Sequence, residues 1–275
     1  MPRILSAGSC AIAVAALGLT LSSAQASEKP SFVEAGALTV CIDPTFPPME
    51  FIDNADDIDP SGFDVDLTKA LASHWGVEAK FARMDFNGLL PSLEADRCGA
   101  VISGATLQAE RQKKFHAVPY LDTRIVITAK AGGVPFADAG DLSGKTIAVQ
   151  SGTTYVGRME KINEQLEAKG LKPANVQLYP KQSDAIQQLL VGRADGVVTQ
   201  DTEVAYRELQ KPGQFTIVYT LPSDAFEPFA IYMKPNDADK AAVSTAIAAL
   251  KADGTLGKIV DAWKLSQDQL NGIGE

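Results

Sequence analysis

Residues 103–115, SGATLQAERQKKF, set a serine, a glycine and a threonine just ahead of Arg111, where a strand pattern gives way to a helical one. A guanidinium presents a planar fork of donors that matches a carboxylate bidentately and stays charged when desolvated. Ser103, Gly104 and Thr106 are the short polar residues that a carboxylate pocket requires. The competing reading is a surface arginine paired with Glu110 or another nearby acid. A second stretch, SGTTY at 151–155, also falls where a strand turns into a helix. Backbone N–H groups are free at such a place and the helix dipole favours an anion. Thr153 and Thr154 there are either an anion-binding pair or an ordinary capping turn, and one can cap while the other binds.

The elements that must position these groups alternate between short apolar runs and helical patterns, the signature of parallel strands joined by crossover helices. ALTVCI, EAKFARM and AVISGA read as strands; GFDVDLTKALASHWG, FNGLLPSLEADRCG and QAERQKKF read as helices between and after them. A similar series follows the Gly132–Gly133 turn. It comprises a strand and long helix in DLSGKTIAVQSGTTYVGRMEKINEQLEAKG, then NVQLYP, SDAIQQLLVGRA and DGVVTQ as strand, helix and strand. TRIVITAK (123–130) and PFAIYMK (228–234) are extended segments that join two similar lobes. Ligands on such sheets gather beyond the carboxyl ends of the strands, so the site is expected in a cleft between the lobes.

Residues 1–26 carry one charge, Arg3, then an apolar stretch that ends in Ala24-Gln25-Ala26, an A-x-A cleavage pattern. The apolar run at 10–21 is shorter than the roughly 20 residues needed to span a bilayer, so a secretory signal cleaved after Ala26 is expected. A lipoprotein signal at AGSC is the lesser alternative, because most of the apolar run follows Cys10. Cleavage leaves 249 of 275 residues and removes one positive charge, taking the formal charge from −9 to −10. Such acidity argues against a nucleic-acid partner. Two cysteines then remain, Cys41 and Cys98, in or beside strands expected to be neighbours; they form a disulfide or stay two buried thiols. His74 and His116 stand alone, and neither a metal site nor a cofactor is expected.

Taken in order, DPTFPPMEF, GFDVDLTKALA, FNGLLPSLEADRCGAVISGATLQAERQKKF, DLSGKTIAVQSGTTY, LLVGRADGVVTQD and LKADGTLGKIVDAWKL resemble the extracellular solute-binding proteins of polar amino-acid ABC importers. The resemblance runs from about residue 36 to 265. It implies an α/β, two-lobe periplasmic-binding-protein fold, each lobe a mainly parallel sheet flanked by helices, joined by a two-strand hinge that closes on ligand. The expected divisions are a signal peptide at 1–26, the first part of lobe 1 at 27–127, lobe 2 at 128–227 and a return to lobe 1 at 228–275.

Residue by residue, the resemblance puts Arg111 on the α-carboxylate of a bound amino acid, with Ser103, Gly104 and Thr106 beside it. Thr153 and Thr154 then face the same carboxylate from lobe 2. Phe46 and Phe86 match aromatic positions that stack on or cover the ligand. The ligand amine is commonly held by an aspartate after GR-x-D-A-x-x-x; here that place falls on Gln200, with Asp201 next. Successive strand residues face opposite ways, so both cannot enter the cleft unless the strand has ended. A strand that stops at Thr199 leaves Asp201 to meet the amine. One that continues leaves the amide of Gln200, and Asp201 is alternatively a helix N-cap.

The implied function is a periplasmic carrier, monomeric, that captures a small amino acid or related zwitterion or carboxylate and delivers it to a membrane ABC permease. Two alternatives share the fold: an exported prephenate or arogenate dehydratase, for which Glu50 and Asp201 are the available acid–base groups, and a sensory ligand-binding partner.

Overall fold

The computed structural model describes residues 28–33, 36–54, 56–223 and 227–274; the expected signal peptide lies outside them. The first lobe runs β1 (Ala37–Ile42), a hairpin of β2 (Thr45–Phe46) and β3 (Glu50–Phe51), α1 (Phe63–His74) and β4 (Glu78–Arg83). It continues through a tight turn at Phe86–Gly88 into α2 (Leu89–Glu94), then β5 (Ala100–Val101), the one-turn α3 (Ala109–Gln112) and β6 (His116–Leu121). The second lobe holds β7 (Ile125–Lys130), β8 (Thr146–Gln150), α4 (Thr154–Ala168), β9 (Asn175–Tyr179), α5 (Gln182–Leu190), β10 (Gly196–Gln200), α6 (Asp201–Gln210) and β11 (Phe215–Thr220). The chain then returns to the first sheet as β12 (Phe229–Met233), followed by α7 (Asp237–Ala252) and α8 (Thr255–Ala262).

Each lobe has one five-stranded sheet, ordered β4-β1-β5-β12-β6 in the first and β11-β7-β10-β8-β9 in the second. In each, a single strand runs against the other four. The reversed strands are β12 and β7, the first to form after the chain crosses between lobes. TRIVITAK and PFAIYMK thus contribute strands to the sheets, and the links themselves are short: one between Leu121 and Ile125, the other between Thr220 and Phe229.

Alternation along buried strands feeds a core on both faces of each sheet. On β12, Phe229, Ile231 and Met233 pack toward α1, α7 and α8 with Leu67, Leu71, Val243 and Ile247, while Ala230 and Tyr232 join Leu89 and Leu93 of α2. On β8, Ile147 and Val149 meet Met159 and Leu166 of α4, and Ala148 meets Ile186 and Leu189 of α5. The apolar stripes of the helices are matched to the faces they cover, so both sheets are held with their strand ends toward the other lobe.

Cys41 and Cys98 form a disulfide across the β1–β5 pair, in which Cys41 lies opposite Val101. The bridge spans 57 residues of sequence, and the chain-entropy model gives a loop of that length about 4 kcal/mol of stabilisation. We expect the Cys41→Ser/Cys98→Ser double variant to fold but to melt many degrees lower in a thermal scan. A melting temperature within a degree or two of the parent would contradict this.

Candidate functional site

The two lobes meet around a cleft at the strand ends that is nearly closed, with about 10 Å³ of free volume. Arg111 enters it from α3. The Arg111 guanidinium carbon lies 5.6 Å from the centre of the Phe86 ring and 5.8 Å from that of Tyr232, so the cation is held between two aromatic faces. Its Nη1 donates to the Thr106 carbonyl (3.1 Å) and its Nη2 to the Gly152 carbonyl of the other lobe (3.3 Å). Tyr232 is fixed in turn, donating to the Thr106 carbonyl at 2.6 Å and accepting from the Gln108 amide at 3.0 Å. Glu110, the competing partner, is taken by Lys113 at 2.6 Å, and among the described residues Arg111 has no ion pair.

Opposite stands the N-terminus of α4. Thr153 is its cap residue, but the Thr153 hydroxyl donates to the Gln150 carbonyl (2.6 Å), and no side chain caps the first turn. The helix therefore presents free N–H groups and the positive end of a 15-residue dipole to the cleft. Thr154 Oγ1 lies 3.3 Å from Thr106 Oγ1, so the two hydroxyls meet across the lobes.

Gly104 and Gly152 have positive φ, +48° and +77°. A Cβ on Gly104 would stand 2.8 Å from the Phe46 ring, and one on Gly152 would collide with Asn87 of the first lobe. Both positions require glycine for the lobes and the Phe46 ring to approach this closely. Phe46 lies beneath the cleft against Phe229, with ring centres 6.1 Å apart.

Ser103 is placed differently from the expectation of a ligand-facing hydroxyl. It is fully buried, donating to Glu50 Oε1 (2.9 Å) and accepting from the Asp43 amide (2.9 Å). Its hydrogen-bonding capacity is spent inside the first lobe.

Strand length decides which of Gln200 and Asp201 lines the cleft. β10 runs through Gln200, which is 0 % exposed and lines the cleft. Asp201 is the first residue of α6, with Gln200 as the cap, so Asp201 is not the N-cap. The Asp201 carboxylate turns to the interlobe link, accepting from Thr123 Oγ1 (3.0 Å) and from the amides of Arg124 (3.2 Å) and Thr202 (2.9 Å). It does not line the cleft.

Three cleft residues were not singled out from sequence: Asp43, Gln150 and Tyr155. Asp43 and Gln150 follow or end strands β1 and β8, so the strand-end rule alone would have found them. They hydrogen-bond across the lobes, Gln150 Nε2 to Asp43 Oδ2 at 2.7 Å. Burial pushes the Asp43 carboxyl up to about 6, against the opposing pull of that bond. Tyr155, in the first turn of α4, donates to Gln200 Oε1.

An acid pair, Glu50 and Asp64, lies at the first-lobe side of the cleft, and Glu50 lines it. Glu50 is raised well above the usual carboxylate range by burial and by its neighbour Asp64, and Asp64 is pushed up to about 6, chiefly by burial. Glu50 Oε2 and Asp64 Oδ1 each lack a partner when both groups are taken as carboxylates, and one proton shared between the groups supplies both. Asp64 is otherwise satisfied by the Gly104 amide (2.7 Å) and Tyr120 (2.9 Å). Among the described residues no cluster of three or more His, Cys, Asp or Glu could hold a metal ion.

The pH dependence follows from the direction of these shifts. Asp43, Glu50 and Asp64 are all raised, so the folded protein binds protons more tightly than the unfolded chain. Their contribution to stability is complete below the ordinary carboxylate range and is lost as pH rises through about 6 and beyond. Glu50→Gln mimics the protonated form, so we expect its melting temperature to fall less between pH 5 and pH 8 than that of the parent. Parallel curves for the two proteins would contradict the shared proton.

Residues 38–266 match the model of the bacterial extracellular solute-binding proteins, family 3. The L-cystine-binding protein TcyJ of Escherichia coli strain K12 is 30% identical over 233 residues, 84% of this chain and 83% of that protein. An ancestral arginine-binding protein bound to arginine superposes with a TM-score of 0.73 at 33% identity, over 83% of this chain and 98% of that one. The ancestral amino-acid-binding protein AncCDT-1, a precursor of cyclohexadienyl dehydratase, gives a TM-score of 0.69 at 29% identity, over 83% and 95%. With the match across nearly all of the described chain and two sheets exchanging their reversed strands, this protein belongs to the family 3 bacterial extracellular solute-binding proteins.

Proposed function

We propose that the protein is a periplasmic carrier that captures a small amino acid or related zwitterion or carboxylate between its lobes and delivers it to an ABC permease. The observation that carries this reading is Arg111: a guanidinium without an acid partner, set between two rings and facing an uncapped helix N-terminus across the cleft. Both groups favour a carboxylate, and each comes from a different lobe, so a ligand bound by both stabilises the closed arrangement by population shift. Thr106, Thr153, Thr154 and the Gly104 backbone surround that position; Phe46 and Phe86 supply apolar walls. The likeness to binding proteins for cystine and arginine supports an amino-acid-like ligand. On this reading the protein acts as a monomer after removal of residues 1–26.

Closure has a built-in reporter. Tyr206 of α6 lies against Phe51 and Trp263 of the first lobe, with ring centres 5.9 and 6.3 Å away, and Trp263 is one of only two tryptophans.

The dehydratase reading keeps in its favour two cleft carboxyls with raised pKa, Asp43 at about 6 and Glu50 well above the usual carboxylate range. Loss of prephenate absorbance on incubation with pure protein would establish it.

To test the carrier reading, protein unfolded and refolded to strip bound ligand is screened by thermal shift against amino acids, betaines and dicarboxylates. A ligand at about a thousand times its Kd adds roughly 4 kcal/mol of stability. The hit is then titrated by tryptophan fluorescence. Arg111→Ala should weaken binding by about 3 kcal/mol or more, roughly a hundredfold, with its own melting temperature nearly unchanged. Unaltered affinity in that variant would sink the assignment.

A further inference from the structure

Gln200 lines the cleft and has an unmatched donor. Its side chain is 0 % exposed, its Oε1 accepts from the Tyr155 hydroxyl, and its Nε2 has no partner. Among the described cleft-lining side chains, the other buried polar atom without a partner is Glu50 Oε2, for which the proton shared with Asp64 accounts. A buried amide N–H without an acceptor is costly, and a ligand acceptor placed against it removes that cost. Turning the amide over does not help. Tyr155 would then accept from Nε2, and its own proton would lose its acceptor.

The location of Gln200 says which ligand atom it meets. Tyr155 belongs to the first turn of α4, immediately after Thr153 and Thr154, so the Gln200 amide lies beside the place where that helix end and Arg111 would hold a carboxylate. The adjacent carboxylate, Asp201, is drawn away by three hydrogen bonds at the interlobe link. The second-lobe face of the cleft is therefore uncharged and rich in donors at this point. An ammonium has only donors to offer and would confront another.

Resting on the carboxylate-binding reading above, we propose that Gln200 is a specificity-determining residue. It makes the cleft select ligands with an uncharged hydrogen-bond acceptor, a hydroxyl or oxo group, on the carbon beside the carboxylate, in preference to a free ammonium.

The test is calorimetric titration of refolded protein with matched pairs of probes, each an L-amino acid and the 2-hydroxy acid of the same side chain. Guanidino, amide, thioether and phenyl side chains are used. The expected result is at least tenfold tighter binding of the hydroxy acid in whichever pair binds. Gln200→Glu should reverse that order, and Gln200→Met, which removes the donor without adding charge, should level it. An amino acid that binds as tightly as its hydroxy acid to the parent protein would overturn the proposal, as would a ratio unchanged in both variants. If such binding still depends on Arg111, the carrier reading survives and this inference alone fails. Absence of binding by both members of every pair would overturn both.

Discussion

A guanidinium without an acid is the constraint around which this protein is arranged. The Arg111 guanidinium hydrogen-bonds to carbonyl oxygens and lies against two ring faces, and the groups that hold it are themselves pinned. Tyr232 is anchored by two hydrogen bonds, and the Gly152 carbonyl is presented by a turn that only glycine can make so close to Asn87. Carbonyl dipoles and aromatic quadrupoles orient the cation without neutralising it. The charge remains available to an anion from outside, which an internal carboxylate would have consumed.

The fold brings these groups together by ending strands at one place. Asp43 directly follows β1, and β8 and β10 end at Gln150 and Gln200; the three are far apart in sequence and line one cleft. The reversed strands β7 and β12 make the two lobes one connected body with short links, and the Asp201 carboxylate ties the first of those links to α6. Contacts between the lobes are mostly polar at the cleft, such as Gln150 to Asp43 and Asn87 to Ser151, and aromatic at Tyr206. A ligand that enters must exchange with the polar ones. The buried acid pair Glu50–Asp64 belongs to the first lobe and holds the Ser103–Gly104 turn, and Glu50 also lines the cleft.

Much of this was legible in the sequence. Strands and helices with long, regular apolar spacing, such as β1, α1, β4, β8 and α4, lie close to where the spacing puts them, and Arg111 lines the cleft where the strand-end rule places a site. What escaped depended on contacts that spacing does not encode. AVISGA reads as a full strand yet pairs over only two residues, because Ser103 turns down to Glu50 and Gly104 takes positive φ. Ser103 looked like a pocket hydroxyl, and only the structure shows its capacity spent. The choice between Gln200 and Asp201 hung on a single residue of strand length, below what turn chemistry and alternation resolve. Asp43 and Gln150 carried a signal, a polar residue at the end of an apolar strand, but no local motif. The Cys41–Cys98 pairing required the neighbouring strands that the alternation pattern supplied.

On the proposed function, one carboxylate bridges the two lobes, held by Arg111 from the first and by the N-terminus of α4 from the second. The most direct measurement is a crystal structure of the protein saturated with the ligand that gives the largest thermal shift. A carboxylate is expected within hydrogen-bonding distance of both the Arg111 guanidinium and the first-turn N–H groups of α4. A ligand whose carboxylate touches only one lobe, or lies outside the cleft while Arg111 keeps its bonds to the Thr106 and Gly152 carbonyls, would contradict it.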